Sequence, residues 1–402
     1  MIVLVGRRLK FFWLYLEYFR KAKKIWHLPL KSDVLIFDAN GLELLLEYLG
    51  PWRPEVLHVR NECINIPILL RSLFRRGNKS LAYTDCFIEK VNPKLMVTFT
   101  DNNPKFFSIS QQHPSVKTVF IQNGTRSYYG DIFEILEKSS SEACSRMTVD
   151  YMMTHGGNVG REFARYIKGK VIPIGSFKNN RLQATNASLN DIVAFISQWQ
   201  ESGFLLNNVF YSHDSFFSQT DRPIVEFLVK YTDKKNKRFM IIPRNSVGDV
   251  GRKSEEAYFR ELIGNNVVFL EPEGAYGSYK ALDIAGVAVG VDSTLIYEAI
   301  ARGSKAAIFS TRSGVLGLGS FTYGWPNENL DEGPFWTNRS DPKAFERIMD
   351  YLFQINDQQW RVELNKHSFD QVMPYDAGNS ILQMILAKEL GSKPTIKHID
   401  KL

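Results

Sequence analysis

"AGVAVGVDSTLIYEAIARG", residues 285–303, decides the fold. An apolar run ends in Asp292-Ser293-Thr294 and passes directly into an amphipathic stretch that closes on Gly303. The run is apolar on both faces, as in a strand of a parallel sheet covered by helices on both sides. The stretch after it reads as the helix that returns over that sheet. Three polar residues where a buried strand hands over to a helix suit an anion. The first helical turn offers unpaired N–H groups and the positive end of the macrodipole, and Ser293 and Thr294 add hydroxyls. Glu298 follows one turn later on the same face and can accept the hydroxyls of a ribose.

The same alternation runs through the whole chain of 402 residues. Strands are expected within 33–41, 55–62, 94–103, 117–124, 150–157 and 170–177, with helical stretches between them. The polar stretch 178–191 has no apolar period and reads as a linker. Strands then resume within 191–199, 237–245, 266–272, 285–294 and 305–310. The expected fold is α/β, two Rossmann-like doubly wound domains facing a cleft. The expected divisions are a basic aromatic amphipathic segment 1–30, a first Rossmann-like domain 31–180, a second Rossmann-like domain 181–345 and a helical tail 346–402.

Composition narrows the functional classes. Apolar residues make up 44% and charged residues 23%, which suits a globule with a real core. Cys63, Cys86 and Cys144 have no paired spacing, so neither a disulfide framework nor a zinc site is expected and the cytoplasm is the expected compartment. The net charge of +7 is concentrated at the start, where residues 1–31 carry one acid, Glu17, among eight basic side chains. Between the basic clusters lies "FFWLYLEYF" (11–19), roughly half the length that spans a bilayer. That pattern points to peripheral attachment to an anionic inner-membrane surface through residues 1–30, and against nucleic acid as a partner.

In open α/β sheets ligands bind beyond the carboxyl ends of the strands, so those ends supply the candidate residues. On the second half they are Arg244 after "IIP", Glu271 and Pro272 after "NVVFL", and Ser278, Tyr279 and Lys280 at the start of the next helix, beside Ser293, Thr294 and Glu298. On the first half Asp101, Asn102, Asn103, Gln122, Asn123, Arg126 and His155 lie at the ends of three strands, and Asp292 faces them from the second. Asp101 and His155 are candidates to orient or deprotonate the acceptor. Asp214, in the loop "FYSHDSFFSQTDRP" (210–223), is the first candidate for nucleophile or base, and Asp221 is expected to cap the next helix. No acid cluster has metal-ligand spacing, so no metal and no cofactor is expected.

Residues 278–312, with "YGWP" (323–326), "GPFWTN" (333–338), "VTFTDNN" (97–103), "FIQNG" (120–124) and "DIVAFISQW" (191–199), resemble the bacterial surface-carbohydrate biosynthesis family. They are similar in particular to the retaining β-Kdo transferase domain of lipopolysaccharide O-antigen capping enzymes, a two-domain GT-B glycosyltransferase. The resemblance implies a CMP-Kdo donor, with its nucleotide on the second half at Arg244, Glu271, Pro272, Ser278, Tyr279, Lys280, Ser293, Thr294 and Glu298, and a lipid-linked glycan acceptor, with the sugar and acceptor at Asn102, Asn103, Gln122, Asn123, Arg126 and Asp292. The second half also resembles CDP-glycerol glycerophosphotransferases and nucleotide-sugar epimerases, which keeps two other expectations open. One is a CDP-alditol phosphotransferase, and the other a non-catalytic nucleotide-binding subunit of a polysaccharide assembly complex.

Overall fold

The computed structural model describes residue 17 and residues 19–60, 62–75, 78–184, 191–206, 209–271, 274, 276–327 and 331–391. In chain order the strands of the first half are β1 (Lys23–Ile25), β2 (Val34–Phe37), β3 (Glu55–Leu57), β4 (Cys63–Asn65), β5 (Leu95–Thr98), β6 (Lys117–Ile121), β7 (Thr148–Thr154) and β8 (Lys168–Pro173). Those of the second are β9 (Ile192–Ile196), β10 (Phe204–Leu206), β11 (Val209–Tyr211), β12 (Arg238–Ile242), β13 (Val268–Phe269), β14 (Val287–Gly290), β15 (Ala306–Phe309) and β16 (Trp336–Thr337).

Each half is built on a six-stranded parallel sheet. The first runs β3-β2-β5-β6-β7-β8 and the second β13-β12-β9-β14-β15-β16. β2, β5, β14 and β15 are buried along their whole length, as both-face apolar strands require. In the second sheet the order reverses between β9 and β14, so the connections leaving these neighbours part to opposite faces and open a crevice at their carboxyl ends. The residues there are Ser197 and Gln198 after β9 and Asp292 to Thr294 after β14. The described residues contain no helix long and apolar enough to cross a membrane.

Three details differ from the sequence expectation. Lys23–Ile25, inside the expected amphipathic segment, is a strand that pairs in parallel with β4. The loop 210–223 begins on a β10–β11 hairpin and contains a short helix, His213–Phe217. The helical tail is not one unit. Phe345, Ile348, Met349, Leu352 and Trp360 join the core of the second half, whereas Leu382, Ile385 and Leu386 of the last helix, Ser380–Leu390, pack against the first sheet.

The chain therefore crosses between the halves twice. The crossings are stitched together by buried amides. Asn180 Nδ2 donates to the carbonyl of Ile174 at 2.7 Å and to Asn379 Oδ1 at 3.0 Å. Asn379 Nδ2 donates to Tyr48 Oη at 2.8 Å and to the carbonyl of Phe177 at 3.0 Å. Gly175 lies at φ +73° with its Cα facing the carbonyl oxygen of Pro374, so both the backbone conformation and the space demand glycine. Gly378, at φ +69°, has open space where a Cβ would stand. Gly378→Ala should cost about 1–2 kcal/mol for the left-handed backbone alone. Gly175→Ala should cost clearly more, because the backbone of the second crossing must move as well. Urea unfolding of the two variants side by side checks this, and equal losses would show that the crossings are not in tight contact.

Candidate functional site

The cleft between the halves holds two joined cavities. The larger, about 640 Å³, lies over the crevice of the second sheet and is lined by Ser197, Gln198, Pro243, Arg244, Ser278, Tyr279, Asp292, Ser293, Thr294 and Glu298, with Thr125 and Lys178 from the other side. The smaller, about 280 Å³, is lined by Gln122, Arg126, Ser127, His155, Tyr297 and Trp325, with Val372 and Met373 of the second crossing closing one side. Thr125, Gln198, Asp292, Arg312 and Phe321 line both cavities and mark their junction.

The larger lobe is organised by the start of helix Thr294–Arg302. Ser293 is its N-cap, accepting from the N–H of Leu295 at 3.4 Å, so this hydroxyl caps the helix while facing the cavity. Glu298 is buried one turn on, and burial pushes its carboxyl up. Hydrogen bonds from Ser176 and Tyr279 and the charges of Lys178 and Arg302 oppose that rise. The opposite wall is held by Glu255, a fully buried carboxylate that accepts from the N–H of Arg244 at 2.9 Å, the N–H of Asn245 at 3.0 Å, Asn245 Nδ2 at 2.9 Å and Ser197 Oγ at 2.5 Å. This fixes the backbone after β12 and leaves the Arg244 guanidinium at the rim, against the carbonyl of Gln198 and Gln200 Oε1.

Two guanidiniums, one from each half, face the smaller lobe. Arg126 donates through Nε to Asp101 Oδ2 at 2.7 Å, and its Nη2 meets both Asp101 and Asn123. Arg312 donates through Nη1 to Asp292 Oδ1 at 2.9 Å and through Nη2 to Asp221 Oδ2 at 3.2 Å. It packs over the rings of Phe216 and Phe217. Its Nε is buried with no partner among the described residues. Both arginines are held as cations by the neighbouring carboxylates, against the cost of burial. His155 stands beside Arg126, its backbone N–H bound to Gln122 Oε1 at 2.8 Å. Burial first, and the Arg126 charge second, bring its imidazole down to about 3, so the ring is neutral at pH 7.

These partners revise several sequence assignments. Asp101 is fully buried and committed to Arg126, which makes it a positioning residue rather than an acceptor base. Asn123 is likewise spent on Arg126 and on the carbonyl of Phe99. Asn102 is exposed and Asn103 turns back to the N–H of Lys105, so neither lines the cleft. Glu271 pairs with Arg252 and Lys280 points to solvent, both away from the cavities. Asp221 does not cap its helix. Thr220 holds that position, and the Asp221 carboxylate serves Arg312 and Thr220 Oγ1. Pro272 lies outside the described residues, and so does the side chain of Asp214, whose helix places Phe216 and Phe217 against the larger lobe. Gln122, Arg126, His155, Arg244, Ser278, Tyr279, Asp292, Ser293, Thr294 and Glu298 are brought together as expected. Arg312, Gln198, Thr125 and Lys178 were not singled out, although "STR" after β15 is a polar strand end like the others. No group of three or more His, Cys, Asp or Glu among the described residues is placed to hold a metal ion.

Residues 119–390 match the model of a family described as "putative O-antigen biosynthesis protein", and the chain belongs to that family. No curated protein matches the sequence. Among solved structures the chain is similar to UDP-GlcNAc 2-epimerase from Neisseria meningitidis bound to UDP-GlcNAc, with 9% identity, a TM-score of 0.51 and coverage of 88% of this chain and 99% of that one. It also matches the wall teichoic acid polymerase TagF, at 10% identity and a TM-score of 0.49 over 90% of each chain. A third match is the sucrose-phosphate synthase of Thermosynechococcus elongatus, at 12% identity and 0.47 over 90% of this chain and 99% of that one. The likeness is one of fold, two Rossmann-like domains of the GT-B arrangement.

The depressed His155 makes a testable difference to acid stability. Its folded value lies below the unfolded one, so the unfolded chain takes up a proton between about pH 6.5 and 3 that the folded chain refuses, and stability falls as pH falls through that window. Between pH 6.5 and pH 4.5 the loss from this one group is about 2–3 kcal/mol. His155→Gln should lose that much less stability over the same interval in urea unfolding. A variant with the wild-type acid sensitivity would mean that the ring is solvated.

Proposed function

We propose that this member of an O-antigen biosynthesis family is a glycosyltransferase that moves a sugar from a nucleotide donor to a glycan of the bacterial surface, with CMP-Kdo as donor and a lipid-linked glycan as acceptor. The observation that carries the reading is the two-lobed cleft. The larger lobe presents the N-terminus of helix Thr294–Arg302, with Ser293 and Thr294, beside the carboxylate of Glu298. That combination fits one phosphate and one ribose. The smaller lobe presents Arg126 and Arg312. A planar guanidinium matches a carboxylate by paired hydrogen bonds, and Kdo is an acid sugar. The nucleotide thus belongs over the second sheet, the sugar at the junction, and the acceptor on the side of Gln122 and His155.

Asp292 lines both lobes, where a sugar linked to a phosphate in the larger one would place its anomeric carbon. Arg312 contacts only its Oδ1. We therefore assign the reacting carboxylate to Asp292 in preference to Asp214. In a retaining transfer Asp292 attacks the anomeric carbon as the bond to the phosphate oxygen breaks and CMP leaves. The acceptor hydroxyl then displaces Asp292 from the same carbon and gives up its proton. His155, neutral and beside Arg126, is a hydrogen-bond partner for that hydroxyl. When an anion sits on Arg126 the charge that depresses the imidazole is offset, and the ring becomes a better base. Residues 1–30 bring the enzyme to the membrane that carries the acceptor.

CMP should stabilise the protein more than UMP, GMP or AMP, by about 2.7 kcal/mol at a hundredfold excess over its dissociation constant. Ser293→Ala with Thr294→Ala should weaken that binding. Arg126→Gln should leave CMP affinity unchanged and raise the KM for an acid-sugar donor at least tenfold. Asp292→Asn should keep CMP affinity and lower turnover by orders of magnitude. A larger shift with UDP would remove the CMP assignment, and near-normal turnover of Asp292→Asn would return the role to Asp214.

A further inference from the structure

An eight-residue helix far from the cleft residues in sequence, Ile66–Leu73, is apolar on the side it turns to solvent. Its inner face is ordinary. Ile66, Ile68 and Ser72 are buried, and Asn65 caps it by accepting from the N–H of Ile68 at 3.1 Å. Its outer row is not. Leu70 and Leu73 are each 54% exposed, and Phe74, which ends the helix, is 90% exposed. These positions, three and four apart, form one continuous stripe. β1 lies alongside β4, which leads into this helix, and Asn65 Nδ2 holds the carbonyl of His27 at 2.8 Å. Trp26, 73% exposed, stands between Ile25, which pairs with Asn65, and His27, beside the start of the same helix.

The surroundings are cationic. Arg20, Lys21, Lys23 and Lys24 precede Trp26, and Lys24 Nζ stands over the ring of Phe19 at 5.0 Å. Arg71 is exposed on the helix itself. Lys79 Nζ donates to the carbonyls of Leu73 at 3.0 Å and Arg75 at 2.6 Å, which places its charge at the Phe74 end. Of the acids nearby, Glu17 is paired with Lys21 and Glu89 with Arg75, Asp85 contacts His113, and Glu62 is exposed.

We infer that this stripe, Leu70, Leu73 and Phe74 with Trp26, is a docking surface for an anionic lipid bilayer, with the apolar side chains entering the interface and the surrounding cations meeting the headgroups. Bulky apolar groups ringed by Lys and Arg are the pattern that such an interface retains, whereas a monomeric protein surface seldom leaves such a row uncovered. The inference extends the membrane reading of residues 1–30 to the folded domain and is independent of the donor.

The test uses the full chain and sedimentation with vesicles of phosphatidylcholine containing 30% phosphatidylglycerol, against vesicles of phosphatidylcholine alone. Wild type should bind the anionic vesicles and leave the neutral ones. L70E/L73E/F74E should bind at least tenfold less with an unchanged melting temperature. F74E alone, at a position too exposed to matter for folding, should bind several-fold less. Wild-type binding by both variants overturns the inference, and if deletion of residues 1–16 abolishes binding in the same assay, the reading of the amphipathic segment survives without it. Tighter vesicle binding after that deletion would mean that residues 1–16 cover the stripe, and a change of oligomeric state in F74E without loss of binding would make it a contact between copies. Either result also overturns the inference.

Discussion

The guanidinium of Arg312 holds the floor of the cleft together. It joins Asp292, which follows β14, to Asp221, which begins the helix after the first strand of the same sheet. Three charges buried at one point are expensive to desolvate, and the arrangement lasts only because the geometry lets each charge pay for its neighbour. The carboxylates outnumber the cation, so the cluster carries a net negative charge and Nε still has a hydrogen to give. Removing the arginine would leave two buried carboxylates facing each other, which is why this residue sets the position of everything at the junction.

The first half repeats the device. Asp101, fully buried at the end of β5, takes the Nε and Nη2 hydrogens of Arg126, and Asn123 takes a further one. The two halves thus each present an arginine whose orientation is already settled by buried acceptors. Donors fixed before a ligand arrives need no reorganisation when charge develops near them, and that economy separates a binding site from a merely basic surface. Burial first, and then the positive charge of Arg126, make His155 hard to protonate.

Much of this was legible in the sequence. Short apolar runs ending in polar residues located the strands of both sheets and, through "DST", the crevice. What the sequence withheld was partnership. Asp101, Asn123 and Asp221 are polar residues in or just after strand ends, and only the fold shows that arginines consume their hydrogen bonds, Arg126 those of Asp101 and of Asn123 and Arg312 those of Asp221. Arg312 lies two residues beyond the expected strand 305–310, and its charge takes its place at the junction only through Asp221 and Asp292, which the fold brings to it. β16 is two residues long and β1 three, too short for any period to declare itself; β16 exists because the second sheet was there to pair with, and β1 because the equally short β4 lay beside it.

The tail shows the same dependence on context. An amphipathic helix such as Ser380–Leu390 records that it must bury a face, not which core receives it. Its partner is selected by the crossing that precedes it. Val372 and Met373 reach the smaller lobe, Gly175 lets the backbone at Pro374 pass, and Asn379 ties the turn to Phe177 and Tyr48, after which the nearest unfilled apolar surface is the first sheet. The same crossing that assigns the last helix to its core thus also lines the smaller cavity, to which Arg126 of one half and Arg312 of the other both contribute.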